Sequence, residues 1–214
     1  AAHPWLPVFV SGLSDGTVLL WGFGAPQPLS SFGSMSAGVV NRIRFDEPGA
    51  KFCGCDSSGL AGVWNFELAR GSGPDRRPVD LIQAHTKRCY DVCFLDKGTV
   101  LGTAGTGSAS SVCVWDLLMP PSCACVAALN LHDGSANSVS HCEEKHLLIS
   151  GGQKGDLSIT DTRTWRCLRT VNNAHKLCTR AVCFSTGGKM VVSGSTDGDI
   201  KFWDVGDLVT GAGE

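Results

Sequence analysis

The chain has 214 residues, 43% of them hydrophobic and 18% charged, with a formal net charge of −2. That balance belongs to a globular protein, and it supplies no broad cationic field for nucleic acid or an acidic membrane surface. No apolar run approaches the ~18 residues that span a bilayer, and no secretory leader is visible. The 27 glycines sit among short runs of Val, Ile, Phe and Trp, a pattern that predicts an all-β architecture of short strands and tight turns.

Read in chain order, the first predicted element is SGLSDGTVLLWG at 11–22. It is a hairpin by its Asp-Gly, because glycine accepts the positive φ of the tight turn. VNRIRF and KFCGCDSSGLAGVW follow, ending on Trp64. ARGSGPDRRPVD, 69–80, reads as an exposed loop from its Gly, Pro and paired Arg. The third unit runs through TAGTGSASSVCVW to Trp115, and the fourth through HLLISGGQKGDLSIT to Thr160. The fifth consists of TRAVCF, MVVSGS and DIKFWD, reaching Trp203 and leaving 206–214 as a tail.

These units form a repeat. The anchors Trp21, Trp64, Trp115, Thr160 and Trp203 lie 43, 51, 45 and 43 residues apart. Ten residues before an anchor stand Ser11, Gly54, Ser150 and Ser193; six before stand Asp15, Ser58, Lys154 and Asp197, each followed by Gly. The third unit fits with a hairpin two residues longer and Thr103 in the Ser position. His85, His132 and His175 keep the same register, each nine residues before Phe94, His141 or Phe184.

Three to four strands in such a period match a β-propeller blade, and a blade must stack on neighbours to bury both faces. Residues 3–205 are therefore expected to form one propeller region of about five repeats. The first repeat opens on its second strand and the fifth ends after its third. The expectation is part of a larger ring of seven or eight blades, completed by an upstream region of the same chain.

The motifs resemble those of WD-repeat propellers: Ala-His, then Ser-Gly-Ser-x-Asp-Gly, then an apolar strand ending Trp-Asp. In that family His, Ser or Thr, Asp and Trp of one blade join in a hydrogen-bonded tetrad. Here the resemblance implies a complete structural tetrad at His175, Ser193, Asp197 and Trp203. It implies partial ones at Ser11, Asp15 and Trp21, at His85, Thr103 and Trp115, and at His132 and Ser150. The fourth unit has Lys154 and Thr160 where Asp and Trp would stand, so packing alone is expected to hold that blade.

Catalytic and metal chemistry find little support. There is no glycine-rich phosphate loop and no Ser-His-Asp order. Cys89 and Cys93 share a strand face but lie roughly 13 Å apart at about 3.3 Å per residue, too far to share one zinc. The 11 cysteines read as small buried hydrophobes with reduced thiols, which places the chain in the cytoplasm. His141 takes a slot filled elsewhere by Phe45, Phe94 and Phe184, and reads as a tolerated substitution or a pH-sensitive polar spot. The expectation is a protein-interaction module without cofactor, metal, catalytic residues or nucleic-acid partner.

A narrower resemblance rests on the departures from the ordinary WD pattern. HPWLPVFVSGLSDGTVLLWG, VNRIRFDEPGAKFCGCDSSGLAGVW, TAGTGSASSVCVWDLLMPPS and HLLISGGQKGDLSITDTRTWRCLRT are similar to successive repeats of the C-terminal WD-repeat region in the DmX-like (rabconnectin) family. That resemblance implies a scaffold that promotes assembly and regulation of the vacuolar proton-pumping ATPase and vesicle acidification. Its partners would be pump subunits or assembly factors, met in the cytoplasm or peripherally on endosomal and vacuolar membranes. The alternative is a WD-repeat scaffold of another pathway, such as a ubiquitin-ligase substrate receptor.

Overall fold

The computed structural model describes residues 1–66, 77–107 and 110–211. Its 18 strands fall into five antiparallel sheets, each built from consecutive strands. The first sheet holds β1 (Val8–Gly12), β2 (Val18–Gly22) and β3 (Ser30–Phe32). The second holds β4 (Val40–Phe45), β5 (Lys51–Asp56), β6 (Leu60–Asn65) and β7 (Asp80–Gln83). The third holds β8 (Cys89–Leu95), β9 (Val100–Gly105), β10 (Val112–Asp116) and β11 (Cys125–Leu129). The fourth holds β12 (Ala136–Cys142), β13 (Leu147–Gly152), β14 (Leu157–Asp161) and β15 (Arg166–Val171). The fifth holds β16 (Thr179–Phe184), β17 (Met190–Ser195) and β18 (Ile200–Asp204).

These are blades of a partial β-propeller. Successive sheets pack in chain order through their inner strands β4, β8, β12 and β16. Each of those strands carries a bulge at the same register, at Val40/Arg42, Cys89/Asp91, Ala136/Ser138 and Thr179/Ala181. A bulge adds twist and re-aims the following side chain. The apolar residues between sheets divide into clusters that each bridge neighbouring blades; one joins Val10, Leu20 and Phe32 of the first blade to Phe52 and Trp64 of the second.

The turn between the second and third strands also fixes the next blade. Gly59 and Gly155 adopt φ of 84° and 83°. Their carbonyls accept the N–H of His85 at 3.0 Å and of His175 at 2.8 Å. A Cβ at Gly155 would lie 2.2 Å from the His175 carbonyl oxygen, so glycine is required both for the turn and for the approach.

The first and fifth blades have three strands each. Along the inner edge of β1, Ala1 exchanges hydrogen bonds with Val10 at 2.7 and 2.8 Å, and His3 N–H donates to Val8 at 3.0 Å. The last blade presents β18 with Ile200 and Phe202 exposed at 68% and 69%. The segment expected as a tail from 206 begins as a helix, α1 (Val205–Thr210). Asp204 caps it by accepting from Gly206 and Asp207, and left-handed Gly211 ends it. Of the loop expected at 69–80, residues 69–76 lie outside the described residues.

Candidate functional site

Two kinds of polar network tie the blades: one inside each blade, and one across their inner edges. The fifth blade comes nearest to the full tetrad. His175 Nε2 lies 2.7 Å from Ser193 Oγ, which also accepts the Trp203 indole N–H at 2.8 Å. Asp197 stands 3.5 Å from His175 Nδ1, longer than a hydrogen bond. Its carboxylate is occupied by backbone amides, taking Asp199 N–H on one oxygen and Lys176 N–H on the other, both at 2.9 Å. The Asp199 amide leads in holding its pKa down at about 2. Ser193 and His175 are buried, whereas Trp203 is partly exposed.

The first blade joins Trp21 to Ser11 at 2.9 Å, and Asp15 accepts the Thr17 amide in its turn. In the third blade Thr103 lies between His85 Nε2 and the Trp115 indole, both at 3.1 Å. No acid reaches His85 Nδ1, which has no hydrogen-bond partner among the described residues. Burial therefore pushes the His85 imidazolium down to about 4.

The fourth blade corrects the expectation that packing alone holds it. His132 bonds Ser150 through Nε2 at 2.7 Å and Asp156 through Nδ1. The acid comes after the turn glycine, four residues before Thr160, whereas the sequence pattern seeks it before that glycine. Gly152 makes the space, since a Cβ there would lie 2.2 Å from Asp156 Oδ1 and 2.5 Å from His132 Nδ1. Burial is the strongest single influence on the Asp156 carboxyl and raises its pKa, but the His132 hydrogen bond and charge, joined by nearby backbone amides, together outweigh it and lower the pKa. Lys154 turns outward to pair with Asp133.

The second blade has a network that the motif search missed. Ser36 stands 18 residues before Gly54, the interval that separates His175 from Ser193. Its hydroxyl donates to Asp56 Oδ2 at 2.7 Å, and Asp56 Oδ1 accepts the amides of Ser58 and Leu60. With glycine at 54, the Trp64 indole N–H has no partner among the described residues; Trp64 instead stacks on Phe52 at 5.0 Å.

Across the inner edges, Asp91 is the hub. It is fully buried and accepts Arg44 Nη2 at 3.0 and 3.1 Å, Ser138 Oγ at 2.8 Å and Val139 N–H at 3.1 Å. Arg42 Nε approaches at 3.1 Å, too poorly aligned for a hydrogen bond. Ser138 then accepts Val182 N–H at 3.1 Å. Arg42, Asp91, Ser138 and Ala181 all follow their strands' bulges, so one register position links blades two to five. For Arg44, burial opposes the charge, but Asp91 outweighs it and raises the pKa.

This arrangement orients blades and offers loop and edge surfaces. Among the described residues no group of three or more His, Cys, Asp or Glu could hold a metal. No helix of the described residues is long and apolar enough to cross a membrane.

Comparison with known proteins agrees with the architecture. The WD domain, G-beta repeat model matches residues 76–116 and 165–204. Mouse and human DmX-like protein 1 are each 31% identical over 207 residues, 95% of this chain. A zebrafish p21-activated protein kinase-interacting protein 1-like is 35% identical over 78 residues, 36% of this chain and 21% of its own length. The chain spans about 7% of the length of the DmX-like relatives. The blades, the repeat matches and a similarity running nearly end to end make this chain a WD-repeat region that is similar to part of DmX-like protein 1.

Proposed function

We propose that this region is a non-catalytic interaction scaffold serving assembly and regulation of the vacuolar proton-pumping ATPase, and so vesicle acidification. The observation that carries the reading is the 31% identity to DmX-like protein 1 over 95% of the chain. The blade networks support the scaffold element of it: their buried polar groups are spent on holding blades together, leaving loops and edges for partners. The region would act in the cytoplasm, peripherally at endosomal or vacuolar membranes, through pump subunits or assembly factors. Further blades from the same polypeptide would close the ring against β18 and the first sheet.

The test is affinity purification of the endogenous polypeptide under native conditions, followed by identification of partners. Proton-pump subunits or their assembly factors are expected, with organelle pH rising when the polypeptide is depleted. Cullin adaptors in their place, with organelle pH unchanged, would transfer the region to ubiquitin-ligase work.

A further inference from the structure

Between the third and fourth blades, both four-stranded, lies a cleft of about 200 Å³. Leu95, Val100 and Trp165 provide its apolar surfaces, while Asp96, Glu143 and His141 are polar lining residues. Residues of the β8–β9 turn in the third blade and of the β12–β13 and β14–β15 turns in the fourth form it, so it needs no further blade to exist. Trp165 is partly buried and packs on the apolar cluster that joins these blades through Leu95, Val139 and Leu148.

Three features distinguish this cleft. Of the five non-glycine residues with positive φ among the described residues, Asp96, His146 and Trp165 line it, at 45°, 53° and 54°. Such conformations are strained for bulky side chains and concentrate where a surface is used. At this end of the second and fifth blades the left-handed turn residues are Gly49 and Gly188, each donating N–H to the residue three before it; in the fourth blade the turn falls one residue later, and His146 takes that conformation while donating to Glu143. Here the strained turn carries side chains instead. Next, His141 replaces the phenylalanine of the other blades, leaving a smaller ring at the cleft. Last, the charge is one-sided. The Asp96 and Glu143 carboxylates have no Lys or Arg partner among the described residues, and both are exposed. The single lining arginine, Arg163, forks onto Asp161 at 3.1 and 2.8 Å, so its charge is already matched. Burial lowers the His141 pKa, which keeps that ring neutral near pH 7.

We infer that the cleft is a docking site for a basic segment of a partner protein, one arginine or lysine lying along Trp165 with its cation at Asp96 and Glu143. An aromatic wall beside two unmatched carboxylates suits a cation on an alkyl stem, which buries its methylenes while keeping charge compensation. The inference rests on the scaffold reading only in requiring a protein partner, and its test is independent of which complex that partner belongs to.

The polypeptide is labelled with fluorotryptophan, and the Trp165 resonance is assigned by W165F. It is then titrated with acetyl-Gly-Gly-Arg-Gly-Gly-amide and with the same peptide carrying Lys, Gln or Glu at the centre. A saturable Trp165 shift with the Arg and Lys peptides is expected. It should weaken with added salt and be lost in D96N/E143Q, where Asn tolerates the left-handed backbone and Gln keeps the acceptor for the Asp96 amide. The salt series on the unaltered protein decides the matter should the double variant misfold. No shift with any peptide, an equal shift with the Gln peptide, a preference for the Glu peptide, or a response indifferent to salt would each overturn the site. Pump subunits absent from the purification would leave these outcomes unchanged.

Discussion

Arg44 of the second blade donates Nη2 to both carboxylate oxygens of Asp91 in the third, at 3.1 and 3.0 Å. Asp91 is wholly buried, and Ser138 of the fourth blade donates to the same group at 2.8 Å. One side chain thus joins three blades. Removing it strands two guanidiniums beside an emptied site. Because Arg42 and Arg44 keep 40% and 32% exposure, water relieves part of that penalty. Asp91→Ala should cost about 3 kcal/mol by urea denaturation, with Asp91→Asn costing less. A loss below ~0.5 kcal/mol would show that the blades do not depend on the hub.

Ser193 is the corresponding test inside a blade. Its hydroxyl serves both His175 and Trp203, and the residue is buried. Ser193→Ala should cost roughly 1–3 kcal/mol by leaving those partners short of a hydrogen bond. Ser36→Ala should cost less, since Ser36 is partly exposed and Asp56 keeps two backbone amides. Equal losses would mean that the serine hydroxyls matter only for packing.

The comparison of those two serines shows how far the sequence could be read. The repeat, the strands and the paired Trp and Ser positions follow from spacing, because period and turn chemistry are local. Ser36 was also within reach: counting 18 back from Gly54 finds it, although the residue is not histidine. Asp156 was harder, because a carboxylate on the far side of Gly155 can reach His132 only when Gly152 leaves room. Asp91 was not legible as a hub. Its partners Arg44 and Ser138 lie 47 residues away on either side, and only the stacking of blades brings them together.

His85 predicts a pH dependence. Burial lowers its pKa from 6.5 to about 4, so the folded protein holds it neutral. Its stabilising effect is complete above pH 6.5 and is lost as pH falls toward 4, where the unfolded chain takes up a proton that the folded state refuses. The difference approaches about 3 kcal/mol at the acid end. Urea midpoints at pH 7 and 4.5 should therefore converge more for His85→Gln than for the unaltered protein. Parallel losses in the two proteins would assign the acid sensitivity to other groups.

The thiols should divide into two kinetic classes. Burial raises the pKa of Cys53 and Cys89 well above the ordinary thiol value and that of Cys93 to about 12, so thiolate is scarce there. Cys123, Cys125, Cys167 and Cys183 are exposed. Iodoacetamide at pH 8 should label these four in the native protein and reach the buried three only after denaturation. Early labelling of Cys53 or Cys89 would reveal an opening between blades two and three.

The open face of β18 supports the last prediction, because its effect should change sign with context. Ile200 and Phe202 are among the most exposed apolar side chains described. Exposed apolar residues on an edge strand promote association. Expressed alone, this chain should self-associate, and Ile200→Lys with Phe202→Ser should shift it toward monomer in sedimentation. In a polypeptide carrying the further blade proposed above, that blade would bury both side chains, each worth about 2 kcal/mol against water. There the same pair should destabilise the propeller and expose it to protease. Improvement in both settings would mean that no blade covers β18. An isolated chain already monomeric and cooperatively folded would mean that the fifth blade tolerates its open face.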